Sequence, residues 1–239
     1  MARTEKIAAG NPCDELTKSV RDKIPARRKR NRRLLPEEEK VLFDTGLQAE
    51  RAHLRPVTET ALYTGMRKRE LFQLQPEHVN FTSKPISLVI KGEPWVVPPN
   101  WLIIVKTKKG VPRVIPLSQR VRGILQSLCE DATCGTYVFS SPRTGKQITD
   151  IKTAWASALE KAGIENLTFH DLRHEWSSRA ADMNVPEHVR RDILGHSSKS
   201  MTGDYTHASP QAMERAMELV AVYGKGNILN YDRITTNAS

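Results

Sequence analysis

Along most of this 239-residue chain, apolar residues recur at the three-and-four spacing of amphipathic helices, and that rhythm breaks between residues 86 and 117. Helical signals begin at Leu35-Pro36-Glu37-Glu38-Glu39. A proline and three acids suit a first turn, where unpaired amide hydrogens and the helix dipole favour negative charge. The pattern predicts a second helix over 52–63, ending at Thr64-Gly65. A third starts near Arg67 and carries Glu70, Leu71 and Leu74. After residue 117 it predicts helices near 118–130, 149–163, 170–183, 186–194 and 199–206, and a last one at 210–223. Leu172, Trp176 and Ala180 fall on one helical face and are candidate core. The tail from Gly224 to Ser239 has no clear period.

The interruption reads as strands. Ile86 to Ile90, Trp101 to Val105 and Arg113 to Leu117 are short and rich in β-branched residues, and Lys106-Thr107-Lys108-Lys109-Gly110 is the turn of a hairpin between the last two. Between the first two, Pro94, Pro98 and Pro99 argue against a continuous strand. The predicted class is therefore mainly α with a small antiparallel β-sheet (α+β). A hydrophobic content of 38% supports one large domain, or one domain plus an appendage.

Charge divides the chain unevenly. Residues 1–33 hold 11 Lys and Arg against 4 Asp and Glu, which is most of the net +10. The excess is densest at Arg27, Arg28, Lys29, Arg30, Arg32 and Arg33. Such a run releases condensed counterions along a nucleic-acid backbone, so these six are candidate DNA contacts. The plainer reading is a solvated basic arm. A membrane surface fits less well, because no apolar face accompanies the run. Asn11-Pro12 and Ile24-Pro25 mark this segment as connector. Cys13, Cys129 and Cys134 are odd in number and fit no common zinc spacing, so free thiols in a reducing cytoplasm are the simplest account. The first residues lack the apolar stretch of a secretory signal, and no apolar run approaches membrane-spanning length.

Four short segments carry the candidate chemistry: Thr64-Gly65-Met66-Arg67, His170-Asp171-Leu172-Arg173-His174, Leu194-Gly195-His196 and Asp204-Tyr205. Arg67, just after a glycine at a helix start, places a guanidinium beside unpaired amides, where its fork can hold two phosphate oxygens; alone it reads as a surface arginine. His170 and Arg173, three apart, project from one side of a helix and can donate to one phosphate; alone they read as a cap or an ion network. His170 and His174 also have metal-pair spacing, but no third ligand accompanies them. Gly195 supplies a helix-ending turn that leaves His196 beyond the helix, as phosphate donor or structural histidine. Tyr205 is an ordinary rim or core residue unless cations stabilise its phenolate, whose normal pKa is about 10. An acid for a leaving 5′ oxygen would come from the hairpin tip, where Lys106, Lys108 and Lys109 compete.

Taken together, these segments resemble the tyrosine recombinases, the phage and mobile-element integrases, over roughly residues 34–222. The text that carries the resemblance is Thr-Gly-Met-Arg-Lys-Arg-Glu-Leu at 64–71, Lys-Lys-Gly-Val-Pro-Arg-Val-Ile-Pro-Leu at 108–117, Phe-His-Asp-Leu-Arg-His at 169–174, Ile-Leu-Gly-His-Ser at 193–197 and Met-Thr-Gly-Asp-Tyr-Thr-His at 201–207. The resemblance implies a catalytic domain over 34–223, preceded by a basic linker at 1–33 and followed by a tail at 224–239. It implies that Arg67 and Arg173 clamp the scissile phosphate, His170 and His196 assist, Lys108 protonates the 5′ oxygen and Tyr205 forms a 3′-phosphotyrosyl link. Lys108 is preferred because it lies eight residues before Pro116. Glu70 and Asp171 would orient these groups. Strand exchange of this kind uses neither ATP nor a metal cofactor. The partners implied are double-stranded DNA, further copies in a tetramer on two duplexes, and accessory DNA-bending proteins, in a bacterial or phage-infected cytoplasm.

Two departures from the family pattern stand out. Only about thirty residues precede the catalytic segment, where the family carries a helical core-binding domain of about a hundred, the size of one small domain. Residues 91–100 read as an insertion. The main rival is accordingly a truncated, non-catalytic DNA-binding integrase remnant. A type IB topoisomerase-like nicking enzyme shares the chemistry. A basic RNA- or protein-binding module leaves the constellation unexplained.

Overall fold

The structure, a computed structural model, describes residues 32–48, 52–107, 110–130, 135–141, 143–196 and 207–224. The chain forms two compact units, Met1–Arg32 and Arg33–Ser239, and every element below belongs to the second. The expected 199–206 helix, the residues from 225 onward, and the candidates Arg27, Arg28, Lys29, Arg30, Lys108 and Tyr205 lie outside the described residues.

Helix α1, Pro36–Val41, begins as its sequence predicts: proline opens it, and the Glu38 carboxylate accepts from the Leu35 N–H at 3.0 Å. It widens into a π-turn at Leu42–Gly46. Helix α2, Leu54–Thr64, is buried along nearly its whole length and packs against the other helices of the core. The short α3, Lys68–Phe72, follows. After the strands come α4 (Gln119–Glu130), α5 (Lys152–Ala162), α6 (Asp171–Asp182), α7 (Glu187–Leu194) and α8 (Pro210–Ala221). The predicted face of α6 is its core face, since Leu172, Trp176 and Ala180 are all fully buried. Helix α8 is capped by Ser209, whose Oγ accepts from the Ala212 N–H, and it buries Met213, Ala216, Met217 and Val220. Among the described residues no helix is long and apolar enough to cross a membrane.

The expected small antiparallel sheet is two two-stranded ladders. Strands β3 (Trp101–Ile104) and β4 (Arg113–Pro116) form the predicted hairpin, with Trp101 opposite Pro116 and Ile104 opposite Arg113. The other ladder corrects the expectation drawn from the prolines. Strand β1, Ile86–Ile90, pairs with β2, Glu93–Val97, through a two-residue turn at Lys91-Gly92. Pro94 sits inside β2, opposite Val89. It is tolerated because each strand of a two-stranded ladder has an open edge, where a missing N–H breaks no bond. Pro98 lies beyond the strand. Both turn residues have positive φ, 55° at Lys91 and 84° at Gly92, as in the twisted turns that match a hairpin.

An ion network ties the start of this unit to its helices. Arg33 donates to Glu175 at 2.9 and 3.1 Å and to Asp182 at 2.8 Å. The fully buried Arg179 bridges Glu175 on its own helix, at 2.9 Å, to Glu39 on α1, at 2.6 Å.

Candidate active site

Two helix ends meet at one arginine. Helix α2 stops at Gly65 and α7 at Gly195, both in the left-handed conformation at φ 65°. Each end leaves carbonyls without intrahelical partners. Arg173, buried on α6, satisfies one from each: Nη1 donates to the Gly65 oxygen and Nη2 to the Leu194 oxygen, both at 2.6 Å. A side chain at position 65 has no space, because a Cβ there would lie 2.6 Å from Leu194 Cδ2 and 3.1 Å from the Trp176 ring. Close packing and helix termination therefore demand the same glycine. At the other end the His196 N–H folds back to the Arg191 oxygen at 3.0 Å, which fixes where the chain leaves α7.

A second arginine pair shares one carboxylate. Glu70, buried on α3, accepts from the Arg67 backbone N–H at 2.9 Å and from Arg67 Nη1 at 2.9 Å. It also accepts both prongs of Arg113 on β4, at 2.9 and 2.8 Å. The Arg113 Nε–H donates to the Ile193 oxygen at 3.2 Å, so this side chain joins strand, α3 and α7. Burial opposes charge on Glu70, yet Arg113 and Arg67 outweigh it and hold its carboxyl below the usual range.

At Arg173 the Glu70 carboxylate does not balance the neighbouring guanidiniums of Arg67 and Arg113. Burial first, then the charge of Arg67, and also that of Arg113, push the Arg173 pKa down to about 9 against the opposing pull of Glu70. Guanidinium stays protonated in proteins. The meaning of the shift is that positive charge here is costly, and that an arriving anion would relieve it. The same field acts on the histidines. Desolvation, then Arg173, Arg67, Arg113 and His174, push His196 down to about 4. Desolvation, then His174, Arg173 and Arg67, lower His170. Both imidazoles are therefore neutral at pH 7. His170 and His174 meet edge to face with centroids 5.0 Å apart.

A cavity of about 530 Å³ opens beside these groups, lined among others by Arg67, Glu70, Lys106, Thr107 and His170. Of the sequence candidates, Arg67, His170, Arg173 and His196 are thus brought into one electrostatic cluster, with Lys106 at the cavity wall. Glu70 holds Arg67 directly. Asp171 acts more locally: its carboxylate accepts from the N–H and hydroxyl of Thr168, both at 2.7 Å, which fixes the turn that presents His170. Arg33 is committed to Glu175 and Asp182. Arg113 was missed as a site residue by the sequence reading, although it stands inside the 108–117 segment. The signal was there: in the alternation of Arg113-Val114-Ile115, an arginine shares a face with the fully buried Ile115 and so needs a buried acceptor.

The Phage integrase family model matches residues 32–212, and the chain belongs to that family. It is 28% identical over 214 residues to the integrase of Salmonella phage P22, covering 84% of this chain and 51% of that protein. It is 31% identical over 195 residues to a shufflon-specific DNA recombinase of Escherichia coli, covering 80% of this chain and 42% of that one. The fold resembles a lambda integrase tetramer bound to a Holliday junction, with a TM-score of 0.54 at 20% identity, over 71% of this chain and 46% of that chain. The chain spans about half the length of these curated relatives.

Proposed function

We propose that this chain is the strand-transferring part of a site-specific DNA recombinase, with a catalytic domain over 34–223, a basic linker at 1–33 and a C-terminal tail at 224–239. The observation that carries the reading is the cluster of Arg67, Arg113 and Arg173 around the Glu70 carboxylate, beside a cavity reached by Lys106 and His170. Such a preorganised excess of donors is what a phosphodiester needs as its charge concentrates in a pentavalent transition state. In the proposed reaction Arg67 and Arg173 hold the scissile phosphate. The Tyr205 oxygen forms a bond to phosphorus, the bond from phosphorus to the 5′ oxygen breaks, and Lys108 donates a proton to that oxygen. His196 and His170, neutral at pH 7, each offer a ring N–H to a phosphate oxygen, and the free ring nitrogen of one of them accepts the phenol proton. Ala208, three residues after Tyr205 in sequence, donates its N–H to Asp192 on α7 at 2.8 Å, which returns the chain to the helix that ends at the site. The P22 and shufflon relatives, and the tetrameric lambda assembly on DNA, support DNA as substrate and an assembly of several copies.

The test is covalent capture from a library of nicked random duplexes, in which cleavage releases a short fragment and prevents religation. Protein-linked DNA that disappears in Tyr205→Phe supports the reading. DNA that is shifted on a native gel, with no covalent product, supports the non-catalytic DNA-binding alternative.

A further inference from the structure

His170 and His174 lie four residues apart at the start of α6, so their side chains neighbour each other across one helical turn. Their rings meet edge to face, with centroids 5.0 Å apart and planes at 86°. Conjugated rings favour this geometry, because a positive edge meets a negative face. The helix beneath them is firmly seated: Leu172, Arg173, Glu175 and Trp176 are all buried. His174 therefore offers its ring from a fixed backbone. His170 has no comparable anchor of its own. It stands at the N-cap of α6, yet its side chain caps nothing. Among the described residues its ring has no hydrogen-bond partner, and it is exposed where it lines the cavity with Arg67 and Lys106.

An exposed side chain without a bond changes rotamer in picoseconds to nanoseconds. Left alone, His170 would not keep a ring nitrogen on one phosphate oxygen. The electrostatics report the same closeness as the rings. After desolvation, His174 is the largest influence that lowers the His170 pKa, ahead of Arg173 and Arg67. It also acts on His196, after desolvation and the three arginines. Core packing does not account for a histidine at 174, since the position is exposed. Helix propensity does not either, because histidine is an indifferent helix former. Among the described residues His174 makes no hydrogen bond or ion pair. Its contact with the His170 ring is what distinguishes it.

We propose that His174 is a positioning residue for His170: its ring holds the His170 imidazole in the orientation that presents a ring N–H to the scissile phosphate. The purpose of the contact rests on the recombinase reading above, while the contact itself does not. The proposal gives a task to the histidine of the His170–His174 segment that the proposed reaction leaves unused.

Two measurements on the whole chain test it. The first needs no catalysis. Inorganic phosphate is titrated into the protein while the ring nitrogens of His170 and His196 are followed by NMR. In wild type both rings should respond. In His174→Ala the His196 response should persist, because the arginines remain, and the His170 response should be lost. A His170 ring that responds equally in both proteins, or in neither, overturns the proposal. The second measurement is a double-mutant cycle on single-turnover adduct formation, with a nicked duplex selected by covalent capture. His174→Ala is expected to react about 10-fold slower, since a misplaced group costs less than a missing one. Because His174 acts through His170, adding His174→Ala to His170→Ala should cost nothing further. His174→Phe keeps a ring at the contact without a nitrogen and should recover most of the rate. Unchanged thermal unfolding of His174→Ala shows that the fold is kept. A wild-type rate for His174→Ala, losses that multiply in the double variant, or a His174→Phe as slow as His174→Ala overturn the proposal. A wild-type chain that forms no adduct overturns the recombinase reading, and the phosphate titration then still decides whether His174 positions His170.

Discussion

Arg113 meets Glu70 fork to fork, Nη1 to Oε1 at 2.9 Å and Nη2 to Oε2 at 2.8 Å. Paired donors match paired acceptors, so the geometry fixes the plane of the carboxylate. Glu70 in turn holds Arg67 by side chain and backbone. The position of Arg67 at the cavity is therefore set from a strand that is distant in sequence. Arg113 acts as a brace whose own charge adds to the field on Arg173 and His196.

Glu70→Gln should weaken the fold and the site together. It leaves two guanidiniums facing an amide, at a position where removing one partner of a buried pair costs about 3–5 kcal/mol. Because the Glu70 carboxyl is held below its ordinary value, its stabilising contribution is fully present above the unfolded pKa, near 4.3. It is lost as pH falls through the folded value. Denaturant melts should show the largest gap between wild type and Glu70→Gln at pH 7, narrowing below about pH 4. A gap that stays constant down to pH 3 would contradict the pairing.

Arg173→Lys should fold more stably than Arg173→Ala and still fail at chemistry. Alanine leaves the Gly65 and Leu194 carbonyls without their donors, at about 1–3 kcal/mol for each buried unpaired group. Lysine can bond one of them but has no fork to hold both and a phosphate. Loss of one transition-state donor typically costs about 10²–10³ in rate. Single-turnover cleavage and thermal unfolding of the two variants would separate the effects.

Gly65→Ala should destabilise the chain by more than a routine helix-cap change. The left-handed conformation costs a non-glycine residue about 1–2 kcal/mol, and overpacking against Leu194 and Trp176 adds about 1–3 kcal/mol. Relief should come from Leu194→Ala in the same chain, which removes the methyl 2.6 Å away. A double variant no more stable than Gly65→Ala alone would show that backbone strain dominates.

The legible parts of this molecule are those where one local rule suffices. Leu172, Trp176 and Ala180 announce the core face of α6 by spacing alone. Gly195 announces the end of α7 because a glycine after a periodic run has one common use. Pro94 misled because the rule that excludes proline from strands concerns strands paired on both sides, and sequence does not say that β2 is paired on one. Arg113 was hidden for a different reason. Its partner is Glu70, and nothing local to either residue encodes a contact across 43 positions. The same holds for Arg33 with Glu175, where a residue counted with a basic run is instead bound to a helix 142 positions away.

His196 supplies the sharpest pH prediction. Its pKa of about 4 lies below the unfolded value near 6.5, so the unfolded chain binds the extra proton first. Stability should therefore fall as pH drops from about 6.5 and level off below about 4, the opposite sense to a histidine paired with a carboxylate. His196→Asn removes the titrating group and should flatten that part of the curve. Following the imidazole by NMR should place its midpoint near 4 in the unliganded protein. Inorganic phosphate or duplex DNA should move the midpoint upward, because an anion among Arg67, Arg113 and Arg173 cancels the charges that lowered it. A midpoint near 6.5 that does not respond to either anion would mean that His196 stands outside the arginine field. The phosphate-binding role proposed for it would then fail.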